Sequence, residues 1–177
     1  KIVQNFLEFA RSPKIRFEEC RLGTLINSVI TLMEYRLRKY SVEIAYDFQP
    51  DLPEVSLDSD RIKEALVNLV TNSCEAMETG GRIDIFETRE HDPDLGEVAV
   101  ITLRDSGPGI PEEIIHKVTA PFFTTKEDGS GLGLSIVARI VREHEGRLTI
   151  SSSTDQCTEF KIILPAKRDD HESDINH

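Results

Sequence analysis

Cysteine is scarce and scattered: the three residues Cys20, Cys74 and Cys157 are odd in number and never form a CxxC pair. That excludes a disulfide framework and a zinc site of ordinary ligand spacing, and fits a reducing cytoplasm. Positive charge is short as well, with 21 Lys and Arg against 32 Asp and Glu and a net charge of −11. No basic stripe gathers along the chain, so coating nucleic acid or an anionic membrane is excluded as its main task. No apolar run approaches the roughly 20 residues that cross a bilayer, and no charged-then-apolar leader opens the sequence. Internal repeats and low-complexity tracts are missing too. What is present, 38% hydrophobic and 30% charged residues over 177 positions, suits one well-buried core with a short appendage.

Periodicity divides the chain into elements. Ile2, Phe6, Phe9 and Ala10 recur at helical spacing until Ser12-Pro13, so residues 1–11 read as the end of a longer helix whose parent chain extends upstream. Leu25, Ile26, Val29, Ile30 and Met33 predict an amphipathic helix from Leu22 to about Leu37. Val42, Ile44, Tyr46 and Phe48 alternate as in a strand, and Val55–Leu57 predicts a second short one. Asp58 or Ser59 then caps a long helix over 60–77, with Gly80-Gly81 as its stop. Strands over 82–89 and 98–104 flank a polar turn at 91–96 and predict an antiparallel hairpin. A short helix near 111–117, a helix over 131–144 closed by Gly146, and strands over 148–150 and 160–164 complete the pattern. Residues 167–177 read as a disordered polar tail. Hairpins and long helices without a βαβ repeat predict an α+β fold, a mixed and largely antiparallel sheet covered on one face by helices.

Four short segments carry chemistry. In the long helix Glu64, Asn68, Asn72 and Glu75 share one face at spacings of four, four and three, opposite the apolar Ile62, Leu66 and Leu69. A solvated face is the plain alternative. Asparagine is a mediocre helix former, however, and two carboxamides one turn apart suit a hard cation that already carries polyphosphate. Asp105-Ser106-Gly107-Pro108-Gly109-Ile110 follows an apolar strand, so it sets a carboxylate at a strand end beside a tight turn. That carboxylate can accept from an adenine amino group, though a simple turn fits the hexapeptide equally well. Pro121-Phe122-Phe123-Thr124-Thr125-Lys126 puts adjacent phenylalanines in a loop, where a plug docked on the core explains them. Gly129-Ser130-Gly131-Leu132-Gly133-Leu134-Ser135 opens a helix, and its backbone amides favour an anion. Its glycine spacing is not that of a Rossmann turn, no GxxxxGK[ST] loop occurs, and the HRD and DFG set of eukaryotic-type protein kinases is absent.

In order and spacing, Asn68 to Ala76, Asp105 to Gly109, Pro121 to Lys126 and Gly129 to Leu134 resemble the N, G1, F and G2 boxes of sensor histidine kinases. Thr158 to Pro165 resembles the closing strand, and the compact loop between Phe123 and Gly129 looks most like the nitrogen-regulator class. The wider resemblance is to the ATPase superfamily of gyrase B, Hsp90 and MutL, which implies an α/β sandwich of the Bergerat type over 15–166. Residues 1–14 would then be the truncated end of the dimerisation helix. The resemblance implies ATP and Mg²⁺ as ligands. Asn72, helped by Asn68, would hold the metal, and Asp105 would meet the adenine amino group with Thr158 behind it through water. Gly107, Gly109 and Ile110 would bound the adenine pocket. Phe122 would join the nucleotide site ahead of a mobile lid over 124–130 that carries Thr124, Thr125 and Lys126, while Gly129, Ser130, Gly131, Leu132, Gly133 and Leu134 would offer amides to the phosphates.

Gyrase-like relatives carry a water-activating glutamate in the place of Asn68, so an asparagine there points to phosphate transfer instead of hydrolysis. Glu64, one turn earlier, is a candidate for positioning a catalytic group. Two departures stand out. Glu75 replaces the lysine that many relatives use for phosphate, with Arg139, Arg142 and His116 as candidate substitutes, and Cys157 replaces a usual glycine. None of His91, His116, His144, His171 and His177 lies in an H-E-x-x-x-P context, so the phosphoacceptor would belong to a dimerisation domain outside this chain. The implied partners are ATP or ADP, that acceptor domain and, through the whole kinase, a response regulator. The fragment would be monomeric and its parent a homodimer. A nucleotide-dependent interaction module and an anti-sigma-type serine kinase stand as alternatives.

Overall fold

The structure, a computed structural model, describes residues 14–47, 49, 52–126, 129–152 and 157–166. The helix expected over 1–11 and the polar tail over 167–177 lie outside these residues. Among the described residues, no helix is long and apolar enough to cross a membrane.

Eleven elements follow one another among the described residues: β1 (Glu18–Cys20), α1 (Leu22–Lys39), β2 (Val42–Asp47), β3 (Val55–Leu57), α2 (Ser59–Ala76), β4 (Gly81–Asp92), β5 (Gly96–Asp105), α3 (Glu112–Ile115), α4 (Gly133–Glu143), β6 (Arg147–Ser152) and β7 (Thr158–Pro165). The main sheet has the order β2-β4-β5-β7-β6, and every neighbouring pair is antiparallel except β2 with β4. That parallel pair is joined through α2, a single helical crossover that is not repeated. One face of the sheet presents Ile83, Ile85, Ile101, Leu103, Phe160 and Ile162 to the helices. α1 answers with Leu25, Ile26 and Val29, α2 with Ile62, Leu66 and Leu69, and α4 with Val137 and Ile140, all in the same buried cluster. Full burial of each such side chain contributes about 1.5–3 kcal/mol, so the spacing of these residues fixes which face of α2 is left for chemistry.

β1 had no pattern to announce it, since its three residues are mostly exposed. It pairs with β3 in a separate two-stranded sheet beside α2. There Arg16 N donates to Asp58 Oδ2 at 2.9 Å, and Phe17 meets the His144 ring edge-on at 5.3 Å. Asp58 is the cap of α2, its Oδ1 accepting from Arg61 N at 3.1 Å. His144 caps the far end of α4 and accepts from Asp58 N at 3.0 Å through Nε2.

Three expected boundaries move. The hairpin strands run on to Asp92 and Gly96, because Asp92 Oδ1 accepts from Asp94 N and Leu95 N and tightens the turn to three residues. α2 ends at Ala76, before the two glycines, and Gly80 serves the entry to β4 with φ of +95° against the Ser41 carbonyl. At the end of α4 the left-handed residue is Glu145, φ 59°, while Gly146 is needed because a Cβ would strike the Ile163 carbonyl.

Candidate functional site

A cleft of about 1960 Å³ opens between α2, the ends of β5 and β7, and the loop that leads into α4. Glu64, Asn68 and Asn72 line it from α2 and Asp105 and Thr158 from the strand ends. Gly109 and Ile110 follow β5, and Thr124, Thr125, Lys126, Gly129, Ser130, Gly131, Leu132, Gly133 and Leu134 complete the wall. The four separated segments therefore meet in one cavity.

Its floor is tightly bonded. Asp105 is 3% exposed. Its Oδ2 accepts from Ser73 Oγ at 2.7 Å and its Oδ1 from Gly107 N at 3.0 Å. Each carboxylate oxygen keeps a second lone pair for a further donor. Gly107 itself is not in the cavity wall; it lies behind Asp105, where a Cβ would come within 2.9 Å of Oδ1. Thr158 faces Asp105 across the β5–β7 ladder and is buried. Its Oγ1 lies 3.1 Å from Ser152 Oγ, which in turn accepts from Ile110 N at 2.7 Å, tying the turn after β5 to the last strands. Cys74, on the buried side of α2, is held in the thiol form because burial pushes its pKa up.

The opposite wall is where α4 begins. Asn68 Nδ2 donates to the Glu64 carbonyl at 2.9 Å, which turns its Oδ1 toward Gly133. A Cβ on Gly133 would sit 3.3 Å from Asn68 Oδ1 and 3.3 Å from Asn72 Nδ2, so this glycine lets the first turn of α4 approach both carboxamides. Gly131 has φ of +66°, and a Cβ there would run into the backbone of Phe122. This loop and the positive end of the α4 dipole consequently line the same space as the two asparagines.

Phe122 departs from the expected plug. Its side chain is 56% exposed and outside the cavity lining, and its φ of 66° lets the backbone, not the ring, pack on Gly131. Phe123 is the half-buried ring and lines the cavity. Of the three cations considered in place of the missing lysine, Arg139 lines the cavity whereas Arg142 and His116 do not. Glu75 and Lys126 both line it and are joined, Lys126 Nζ to Glu75 Oε2, at 2.7 Å.

Arg61 was missed. It lines the cavity and pairs with Glu64 Oε2 at 3.1 Å, with its side chain 15% exposed. The polar stripe of α2 in fact starts at Arg61, three residues before Glu64, which the spacing could have shown. Phe160 lies two residues beyond Thr158 on the same side of β7, and that period was also readable. Tyr40, Ile114 and Val118 arrive from other elements and left no local signal.

Comparison with known proteins shows the family and the fold. The profile of the family described as histidine kinase-, DNA gyrase B- and HSP90-like ATPase matches residues 57–168. Sporulation kinase C of Bacillus subtilis is 32% identical over 171 residues, which are 95% of this chain and 38% of that protein. Sensor histidine kinase ZraS of Escherichia coli is 29% identical over 165 residues, 93% of this chain and 34% of its own length. The solved catalytic domain of histidine kinase ThkA superposes with a TM-score of 0.73 at 35% identity, covering 85% of this chain and 96% of that domain. ShkA in complex with AMPPNP gives a TM-score of 0.80 at 26% identity, over 93% of this chain and 35% of ShkA. The chain belongs to the histidine kinase-, gyrase B- and HSP90-like ATPase family, and its fold is that of histidine-kinase catalytic domains. It spans little more than a third of the curated relatives named here.

Proposed function

We propose that this chain is the ATP-binding catalytic domain of a sensor histidine kinase that passes the γ-phosphoryl group of ATP to a histidine of a dimerisation domain outside the chain. The observation that carries the reading is the shared cavity: the carboxamides of Asn68 and Asn72, the buried Asp105 and the amide-rich start of α4 open onto one space. Asp105 offers acceptor oxygens at the closed end, which suits an exocyclic amino group; the Ser73 hydroxyl and the Gly107 amide fix its orientation. At the other end the loop amides and the α4 terminus suit a phosphate chain, with Thr124, Thr125 and Lys126 above it.

Mg²⁺ fits the residues present. Asn68 Oδ1 is a neutral oxygen whose carboxamide is oriented by the Glu64 carbonyl, and the absence of a Cβ on Gly133 leaves room beside it and Asn72. Asn72 and Asn68 would hold the ion, which when bound neutralises phosphate charge. No carboxylate stands at position 68 to activate water. Glu64, one helical turn earlier, is engaged by Arg61, which supports transfer to an outside acceptor over hydrolysis. His144 is buried at 4% exposure between Asp58 and Ile140 and is unsuited to accept phosphate itself.

The reading extends to a cytoplasmic site of action, a homodimeric parent and a response-regulator partner; ThkA has been solved in complex with response regulator TrrA, at 32% identity and a TM-score of 0.77 over 94% of this chain. Its test has two arms. Mg-ATP analogues should raise the melting temperature of the chain by mass action and should hardly affect Asp105→Asn. Mixed with a separately made dimerisation bundle and labelled ATP, the chain should place acid-labile label on the bundle. Equal stabilisation of both proteins would overturn the role of Asp105, and ATP binding without any transfer would favour the nucleotide-dependent interaction module.

A further inference from the structure

Glu75 is a carboxylate on the wall of a cavity otherwise suited to phosphate, and it is occupied on both oxygens. Oε2 lies 2.7 Å from Lys126 Nζ, and Oε1 lies 3.3 Å from an Arg36 guanidinium nitrogen of α1. The lysine belongs to the loop over the cavity, and its backbone is pinned: Lys126 N donates to Thr124 Oγ1 at 3.1 Å, and a Cβ on Gly129 would meet Lys126 Cβ at 3.2 Å. Its flexible side chain alone is free to choose between the carboxylate in the wall and an anion in the cavity. Both ends of the pair are partly solvated, the side chains of Lys126 and Glu75 being 40% and 33% exposed, so the bond is weak enough to exchange. Arg36 makes the exchange inexpensive, because Glu75 keeps one cation after losing the other.

We propose that Glu75 is an internal competitor of the nucleotide's phosphates: it holds Lys126 when the phosphate end is empty, surrenders it to the polyphosphate, and thereby sets the affinity for ATP. The inference rests on the nucleotide reading given above. It explains how a family member with an acid in the place of a phosphate-binding lysine still brings a positive charge to the site: the loop supplies the charge, and the acid makes its delivery conditional on ligand.

Removing Glu75 also removes a negative charge from the wall, which would tighten ATP binding by field alone. A double-mutant cycle separates the two causes. Titration calorimetry with Mg-ATP is run on the intact chain, Glu75→Gln, Lys126→Met and the double variant. Glu75→Gln should tighten binding about two- to five-fold, the range of an exposed ion pair, and the same change in the Lys126→Met background should tighten it distinctly less, leaving only the field effect. Equal tightening in both backgrounds, or no tightening in either, overturns the competitor role while the nucleotide reading stands. An intact chain that binds no ATP sinks both together.

Discussion

The two ends of the cavity are built on different physical terms. At the closed end, Asp105, Ser73 and Thr158 are buried at 2–4% exposure and linked by short hydrogen bonds to elements that make up the sheet and α2. At the open end, Thr124, Lys126 and Glu75 are held by one local turn and an ion pair between half-exposed side chains. Buried polar groups are costly to leave unpaired, so the first arrangement is rigid and inseparable from folding. Solvated ion pairs contribute little, so the second can change partners without unfolding anything. Under the proposed nucleotide reading, a ring would meet the end that is formed in advance and the polyphosphate the end that adapts.

Gly131 lies at the boundary between these regimes and should show the largest effect. Alanine in its left-handed conformation costs about 1–2 kcal/mol, and its Cβ would collide with the backbone of Phe122, which lacks the freedom of a side-chain tip to move aside. Gly131→Ala should therefore lose about 3 kcal/mol in urea unfolding. A loss below about 1 kcal/mol would mean that the loop before α4 yields freely and that the rigid region ends before residue 131. Ser73→Ala comes next. It strips one buried donor from Asp105 while Gly107 N remains, and should cost about 1–3 kcal/mol without moving the chain. An unchanged unfolding midpoint would show that water replaces the hydroxyl and that the closed end is wetter than its burial suggests.

The same contrast explains what could be read from the amino acids alone. α2 was legible in detail because two demands act on one helix at fixed period: Ile62, Leu66 and Leu69 must reach the sheet, and Asn68 and Asn72 are left on the other face. Asp105 was legible because an apolar strand ends on it. Where position depends on distant contacts the reading stopped short. β1 exists because Glu18–Cys20 pair with β3, and nothing in those three residues says so. Phe122 was expected to plug the core, yet the requirement of Gly131 for its backbone leaves the ring outside. Gly146 does stop the helix, its amide donating to the Val141 carbonyl at 2.9 Å, but its second role as a spacer against the Ile163 carbonyl, seventeen residues away in sequence, could not be read locally. The Lys126–Glu75 pair joins residues 51 positions apart and required the fold to be seen.

Lys126→Ala is the smallest effect and the most demanding of the comparison. Its ammonium touches Glu75 and nothing in the core, and solvent screens a pair whose side chains are 40% and 33% exposed. Glu75 retains Arg36, so no carboxylate is orphaned. Thr124 Oγ1 still receives the residue 126 amide, which leaves the local turn in place. The change in stability should thus stay within about 0.5 kcal/mol in nucleotide-free urea unfolding. A loss above about 1 kcal/mol would make the loop part of the cooperative fold, with Lys126 a structural tie that no ligand of ordinary affinity could draw away, and the division between a formed end and an adaptable end would disappear.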